Sequence, residues 1–386
     1  MVEINAFKFF RQSWGDRTEK IDDHGIGGDF DIYSTDAEGG PVTDVYRGYT
    51  KKKGLAILVA ALLLLLALVI AAQNGPIRMG FLEVAKYIFT LNTDGSGHIV
   101  WNIRMVRILG AVLAGAGLAL AGTVMQCILR NPLASPYTLG LSSAAAFGAS
   151  FAIIYLGAGS SLSSGITISN PYLTTLCAFA SSLVAIAAIL ALTRLVGISS
   201  ETMVLAGIAM SAMYTAALSY LQFIATDSQL GNIVSWTFGD MGKATWSFNM
   251  MVLSVLLPST LYFYYRRWDY NAMEAGEDSA KGLGVNTSRE RTIGMLLASL
   301  LSAVIVSFFG IIAFVGLLGP HIARMMIGGD HRYLIPMSML IGSLILVSAD
   351  GLGLVIQYPI VIPVGIITSM LGGPLFIYLL IRRYRH

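Results

Sequence analysis

Residues 55–72 read LAILVAALLLLLALVIAA, 18 consecutive positions with no charged or amide side chain. A helix rises about 1.5 Å per residue and needs about 20 mostly apolar residues to cross a bilayer core. Lys51, Lys52 and Lys53 stand directly before this stretch, and Gln73-Asn74-Gly75-Pro76 closes it with a turn cluster no helix continues through. The same reading repeats along the chain. Uncharged runs cover Ile108–Leu129, Asn131–Thr193, Thr202–Thr226, Ala244–Tyr265, Thr292–Ala323, Tyr333–Ala349 and Gly351–Ile381. Of 386 residues, 55% are hydrophobic and 12% charged, about half the charge of a soluble chain. The fold class that follows is all-α, a polytopic membrane protein with about ten transmembrane helices.

The breakers divide these runs. Spans are expected at Leu55–Ala72, Met105–Leu129, Tyr137–Leu156, Pro171–Arg194, Met203–Ala225 and Trp246–Tyr265. Thr292–Ala323 divides near Phe309-Gly310 into two more, and Leu334–Ala349 and Ile362–Ile381 complete the ten. Residues 77–103 read as an amphipathic, mixed loop, and the Gly/Ser-rich Gly157–Asn170 as another. The connection holding Trp236, Asp240 and Lys243 also reads as a loop. The most polar internal segment, 266–290, has room for one or two short helices outside the membrane.

Charge sets orientation. The first 50 residues hold five Lys/Arg against ten Asp/Glu, the composition of an acidic, largely disordered extension. That stretch has no apolar h-region of a cleavable signal peptide. With the amino terminus inside, cytoplasmic loops gather 15 of the 20 basic residues after position 50. Arg78, Lys86, Arg104, Arg107 and Lys243 stay outside. The positive-inside rule then places both termini in the cytoplasm of a multi-pass protein of the cell (plasma or inner) membrane. The expected organisation is 1–53 as cytoplasmic extension and 54–386 as membrane domain.

Motifs for chemistry are sparse. There is no phosphate loop, no H-E-x-x-H and no G-x-S-x-G, so no catalytic residue is assigned and no nucleic-acid partner is implied. Cys127 and Cys177, inside apolar runs, read as buried small hydrophobes. His321 and His331 flank a Gly-Gly turn with no carboxylate or thiol cluster beside them in sequence, so no metal site is assigned. Asp350 closes span nine and the other acids fall in loops. A proton- or sodium-coupled carrier uses buried carboxylates, so the chain reads as a conduit powered by another subunit. The competing class is a secondary transporter or channel working without an ATPase. On span two, Ala111, Gly115 and Ala119 form a small-residue stripe, with Gly117 and Ala121 beside it, suited to close helix packing.

Several segments go beyond composition. Arg104-Met-Val-Arg107 precedes a Gly/Ala-rich span, followed by Gln126-x-x-x-Arg130-Asn131-Pro132-Leu133-Ala134-Ser135-Pro136. Later come Phe314-Val315-Gly316-Leu317-x-Gly319-Pro320-His321-Ile322-x-Arg324 and Asp330-His331-Arg332-x-Leu334-x-Pro336. Ile362-Pro363-Val364-Gly365 and Gly372-Gly373-Pro374-x-Phe376 follow. Together, over about residues 55–386, these resemble the FecCD family, permease subunits of ABC importers for iron–siderophore complexes, haem and vitamin B12.

The resemblance implies a type II importer permease fold and a homodimer with the translocation path between the copies. It implies two partner ATPase subunits that bind ATP and Mg, an extracytoplasmic substrate-binding protein, and no cofactor on this chain. The loop at about 267–290 resembles the family's coupling segment, with Glu274, Gly276, Glu277, Ala280, Leu283 and Gly284 as its contact residues. Gly282 and Gly284 are expected to form its terminal turn. Asn131, Leu133, Ser200 and Glu201 match the cytoplasmic gate, where Glu201 replaces a small hydroxyl residue. Arg104 and Arg107, three apart on one helix face, match arginines that dock the binding protein. Leu354 and Val361 replace two charged residues of the family pattern, which implies a less charged outer face.

Overall fold

The computed structural model describes residues 42–75, 79–90, 95–158, 161–162, 165–166, 171–197 and 199–384. The chain divides into Met1–Thr50 and Lys51–His386. The acidic stretch up to residue 41, Arg78, Arg385 and most of the Gly157–Asn170 connection lie outside the described residues.

Among the described residues, α1 spans Val42–Gln73, α2 Phe81–Thr90 and α3 Ser96–Ile99. A π-helical turn, Val100–Met105, carries α3 without a break into α4, Val106–Ile128. Span two therefore begins well before Met105, inside the segment read as a loop. Next come α5 Leu141–Tyr155, a two-residue hairpin pair β1 Ser161–Leu162 and β2 Gly165–Ile166, α6 Pro171–Val196 and α7 Ser200–Ile224. The connection after α7 is not a loop: it holds α8, Asp227–Thr237. Thr226 and Gln229 close a capping box at its start, which satisfies helix-end N–H groups locally. After α9, Trp246–Tyr265, the polar segment forms α10 Arg267–Ala275 and α11 Glu277–Gly282. The chain ends with α12 Thr287–Phe309, α13 Val315–Ile327, α14 His331–Val355 and α15 Val364–Tyr384.

Among the described residues, seven helices are long and apolar enough to cross a membrane, and three shorter apolar ones, α5, α13 and most of α15, join them. The ten expected spans are all present. Their middle is α4, which is buried from Leu113 through Ile128 and packs against α12, α13 and α14. The small-residue stripe explains that position. A Cβ on Gly115 would stand 2.5 Å from the Gly342 carbonyl oxygen of α14, so the two backbones touch. Without a hydrophobic gradient in lipid, such close approach is what holds helices together. By contrast α1 exposes Leu55, Leu58, Leu62 and Leu66, an apolar surface matched to acyl chains.

Contacts sort the helix ends into two sets. At one end meet Lys53 of α1, the last turn of α4, the starts of α7, α12 and α14, and the α10–α11 segment. This is the basic end. At the far end, Arg104 donates to the Ala72 and Gln73 carbonyls of α1. Arg107 reaches Asp350 near the end of α14, and the Asp240 N–H donates to the Phe309 carbonyl at the end of α12.

Candidate functional site

The basic end collects most of the residues singled out from the sequence. α10 runs on from α9 through Arg266, whose guanidinium bonds the carboxylate of Glu290 and also Asp269, at 2.8 Å. Gly276 breaks α10 from α11 at φ 135°, and Gly284 closes the segment at φ 83°. Both conformations favour a residue without Cβ. Gly282 differs from its expectation: it ends α11 in a backbone outside the left-handed region, and a Cβ there meets no neighbour. The need for glycine falls on Gly276 and Gly284.

Ala280 is fully buried while Leu283 is 74% exposed. One face of α11 thus seats on the bundle and its end presents an apolar side chain outward. The seat is ionic as well as apolar. Glu277 accepts from the Arg291 guanidinium at 2.8 Å and pairs with Lys281 at 3.0 Å. Those bonds, Arg291 first, hold its carboxyl down to about 2. Glu274 pairs with Arg324 of α13, and its second oxygen lies 3.6 Å from His331 Nδ1. Asn271 accepts from the His331 N–H at 2.8 Å and donates to Asp330 at 3.0 Å. The Cys127 thiol donates to the Tyr270 carbonyl at 3.4 Å. The α10–α11 segment is therefore pinned to α4, α12, α13 and α14.

His331 thus has the acid and thiol neighbours that sequence proximity did not show. Cys127, Glu274 and His331 place one potential ligand atom each within 4.8 Å of one another. Each also has a protein partner, and the Arg324 guanidinium occupies the carboxylate. Cys127 is buried as expected, whereas Cys177 is half-buried.

The residues expected to form the cytoplasmic gate lie beside this segment. Two residues past the end of α4, Arg130 takes φ 47°, an unusual backbone for a residue with a side chain. Asn131 then folds an Asx turn, its Oδ1 accepting from the Leu133 N–H at 2.9 Å. Leu133 is 41% exposed and Glu201 is exposed. Ser199 caps α7 by accepting from the Thr202 N–H. Ser200 Oγ donates to the Ile128 carbonyl at 3.3 Å. That carbonyl is one of the orphan acceptors every helix leaves at its end, and it also accepts from Arg291 Nε at 3.2 Å. A continuous relay results: Ser200 of α7, the end of α4, Arg291 of α12 and Glu277 of α11.

The far-end arginines do not share one target. The π-turn sends Arg104, 6% exposed, back onto α1 carbonyls, and Arg107 forms a two-pronged pair with Asp350 at 2.7 and 2.8 Å. Asp240 lies 3.8 Å from Arg107. Asp350 and Glu290 are both buried within helices, and each is neutralised by an arginine remote in sequence. Sequence spacing could not reveal pairs formed between separate helices.

One surface feature carried no motif. Thr138, Ser211, Thr215 and Ser219, with Ile208 and two alanines, line an open groove of about 540 Å³ along α7. Hydroxyls recurring three to four apart on a span mark one face, a signal present in Ser211, Thr215 and Ser219.

Comparison with known proteins follows this geometry. The family model of the FecCD transport family matches residues 62–382. A Methanocaldococcus jannaschii protein named "Putative ABC transporter permease protein MJ0087" is 50% identical over 341 residues, covering 88% of this chain and 98% of its own. The hemin transport system permease protein HmuU of Yersinia pestis is 36% identical, with 83% and 94% covered. A solved structure described as "an inward-facing conformation of a putative metal-chelate type ABC transporter" superposes with a TM-score of 0.72 at 28% identity, covering 85% of this chain and 99% of the other. A core of ten apolar helices, a pinned polar segment at one end and these matches along nearly the whole membrane domain lead to one assignment: the chain belongs to the FecCD transport family.

Proposed function

We propose that this chain is the membrane-spanning permease of an ATP-driven importer of metal chelates, a ferric siderophore, haem or a corrinoid, and that it works as a pair of copies. The observation that carries the reading is the relay from Glu277 through Arg291 and the Ile128 carbonyl to Ser200. It joins the exposed α11 segment to the turn that opens α7. In this reading partner ATPases grip α10–α11, and their closure is felt at Asn131, Leu133, Ser200 and Glu201 through bonds of the protein itself. The names of the relatives support the substrate class: hemin for HmuU, and iron(3+)-hydroxamate for the Bacillus subtilis permease FhuG, 32% identical.

The basic end faces the cytoplasm with both termini, because basic residues concentrate there. The hydroxyl groove on α7 faces the second copy. A row of hydroxyls on one face of α7 suits a wet path between two copies better than contact with acyl chains, which offer no hydrogen-bond partner. A binding protein docks at the far end. There Arg104 and Arg107 hold the surface in shape through α1 and α14, and exposed groups around them make the contact.

Reconstitution tests the proposal. Vesicles holding the permease, its ATPase and its binding protein should take up chelate only with ATP inside the ATPase compartment. Uptake driven by an ion gradient without the ATPase would establish the secondary-carrier class instead.

A further inference from the structure

Three helix ends and the middle of α1 meet at the basic end, and their side chains alternate in charge and aromaticity. The Arg267 guanidinium lies 4.6 Å from the Tyr264 ring centre and 5.7 Å from that of Trp268. Arg332 lies 5.8 Å from the same Trp268 ring and 4.4 Å from Tyr333. Lys53 Nζ lies 5.2 Å from the other side of this run, over Tyr333. The ladder Tyr264–Arg267–Trp268–Arg332–Tyr333–Lys53 thus joins the end of α9, the start of α10, the start of α14 and the first apolar turn of α1.

Composition and exposure show what this ladder faces. Trp268 is 55% exposed and Tyr265, beside it, 76%. Lys51 and Lys52 are exposed next to Lys53. Against these five basic groups stands Asp330, 3.7 Å from Arg332; Asp269 and Glu290 are both held by Arg266. The patch therefore carries net positive charge at the depth where aromatic rings collect in membranes. One turn deeper, Leu55 and Leu58 of α1 and Leu257 and Leu261 of α9 are exposed and apolar. Arg267 and Arg332, part-exposed and stacked on rings, keep their charge available while their stems stay on apolar surface; Lys53 itself is buried at 5% exposure.

We infer that this cation–aromatic ladder is a binding site for the phosphate headgroup of an anionic phospholipid of the surrounding leaflet, its acyl chains lying along the exposed leucines of α1 and α9. The lipid bridges helix ends that have little else in common: α1, packed on α13 and α14 through Ala60 and few other buried residues, and the coupling segment at α10. Anionic lipid would then hold α1 against the part of the bundle that meets the ATPase. The inference needs only a membrane-spanning chain and stands apart from the import reading.

The full chain, purified and placed in nanodiscs of phosphatidylcholine alone or mixed with phosphatidylglycerol, tests it by native mass spectrometry of retained lipid and by thermal unfolding. The parent should retain phosphatidylglycerol preferentially and unfold at higher temperature in its presence. Each basic group near a membrane surface contributes about fivefold, so R267Q/R332Q should lower that preference about 25-fold, with stability in phosphatidylcholine little changed. If that variant does not fold, K51Q/K52Q, altered only at exposed positions, carries the same expectation. No preference for phosphatidylglycerol in the parent, or an unchanged preference in the variants, overturns the inference. Equal stabilisation by inorganic phosphate would make this an anion site without lipid and also overturns it. So does loss of ATPase attachment with lipid preference intact, which would assign the ladder to the protein partner.

Discussion

Arg291 is 3% exposed and holds two acceptors from different helices, the Glu277 carboxylate at 2.8 Å and the Ile128 carbonyl at 3.2 Å. Replacing it with Met keeps volume and removes both bonds. A hydrogen bond to a charged group contributes about 1.5–3 kcal/mol, and Glu277, one-third exposed, recovers part of its loss from water. The expected cost of R291M is therefore about 2–4 kcal/mol. E277M leaves the opposite defect, a buried guanidinium without its anion, and should cost about as much, since a broken buried pair is penalised by the uncompensated charge. The double variant should cost less than the sum by about 1–3 kcal/mol, the coupling energy of residues in contact. Unfolding of the purified protein followed by tryptophan fluorescence gives these numbers. The functional readout is ATPase stimulation by the loaded binding protein, which both single variants should lose while the complex still assembles. Additive stability effects, or full stimulation in R291M, would refute the relay as the link between α11 and the proposed gate.

At the far end, D350L and R107M should each destabilise the fold by about 3–5 kcal/mol, whereas the double variant should come close to the parent, because an apolar pair replaces an ion pair without leaving a buried charge; a double-mutant cycle by thermal unfolding checks it. Valine at Gly284, where φ is 83°, should abolish stimulated ATPase activity, and valine at Gly282, where space is open, should be tolerated in the same assay. Glu277 is held down from 4.5 to about 2, so its anchoring of α11 is complete above about pH 4.5 and is lost as pH falls toward 2. Protection of the α11 amides, measured by hydrogen exchange relative to the intrinsic rate at each pH, should fall across that window in the parent and show no such step in E277Q.

Much of this protein is legible before any coordinate is known. Apolar runs of about 20 residues set the number of spans, since the bilayer thickness imposes a length that composition reveals directly. Gly-Pro-Asn breakers placed most boundaries within a few residues, and the polar 266–290 segment announced α10 and α11. The stripe around Gly115 announced close packing, though not its partner Gly342. Local chemistry was overlooked where apolarity dominated the reading: Thr226-x-x-Gln229 starts α8 inside a presumed loop, and Ser211, Thr215 and Ser219 share a face.

Other features are tertiary by nature. Arg104 and Arg107 look equivalent in sequence, yet a π-helical turn and the positions of α1 and α14 send them to separate partners. Asp350 and Glu290 are tolerable in apolar surroundings only because arginines from other helices reach them. The relay at Ile128 needs three helix ends within hydrogen-bond reach of a single carbonyl. Hydrophobic patterning reports how each segment meets its solvent, and that is a local property. Which charge neutralises which is decided by helix packing, where shape complementarity of small residues sets the neighbours and the cost of an unpaired buried charge selects among them.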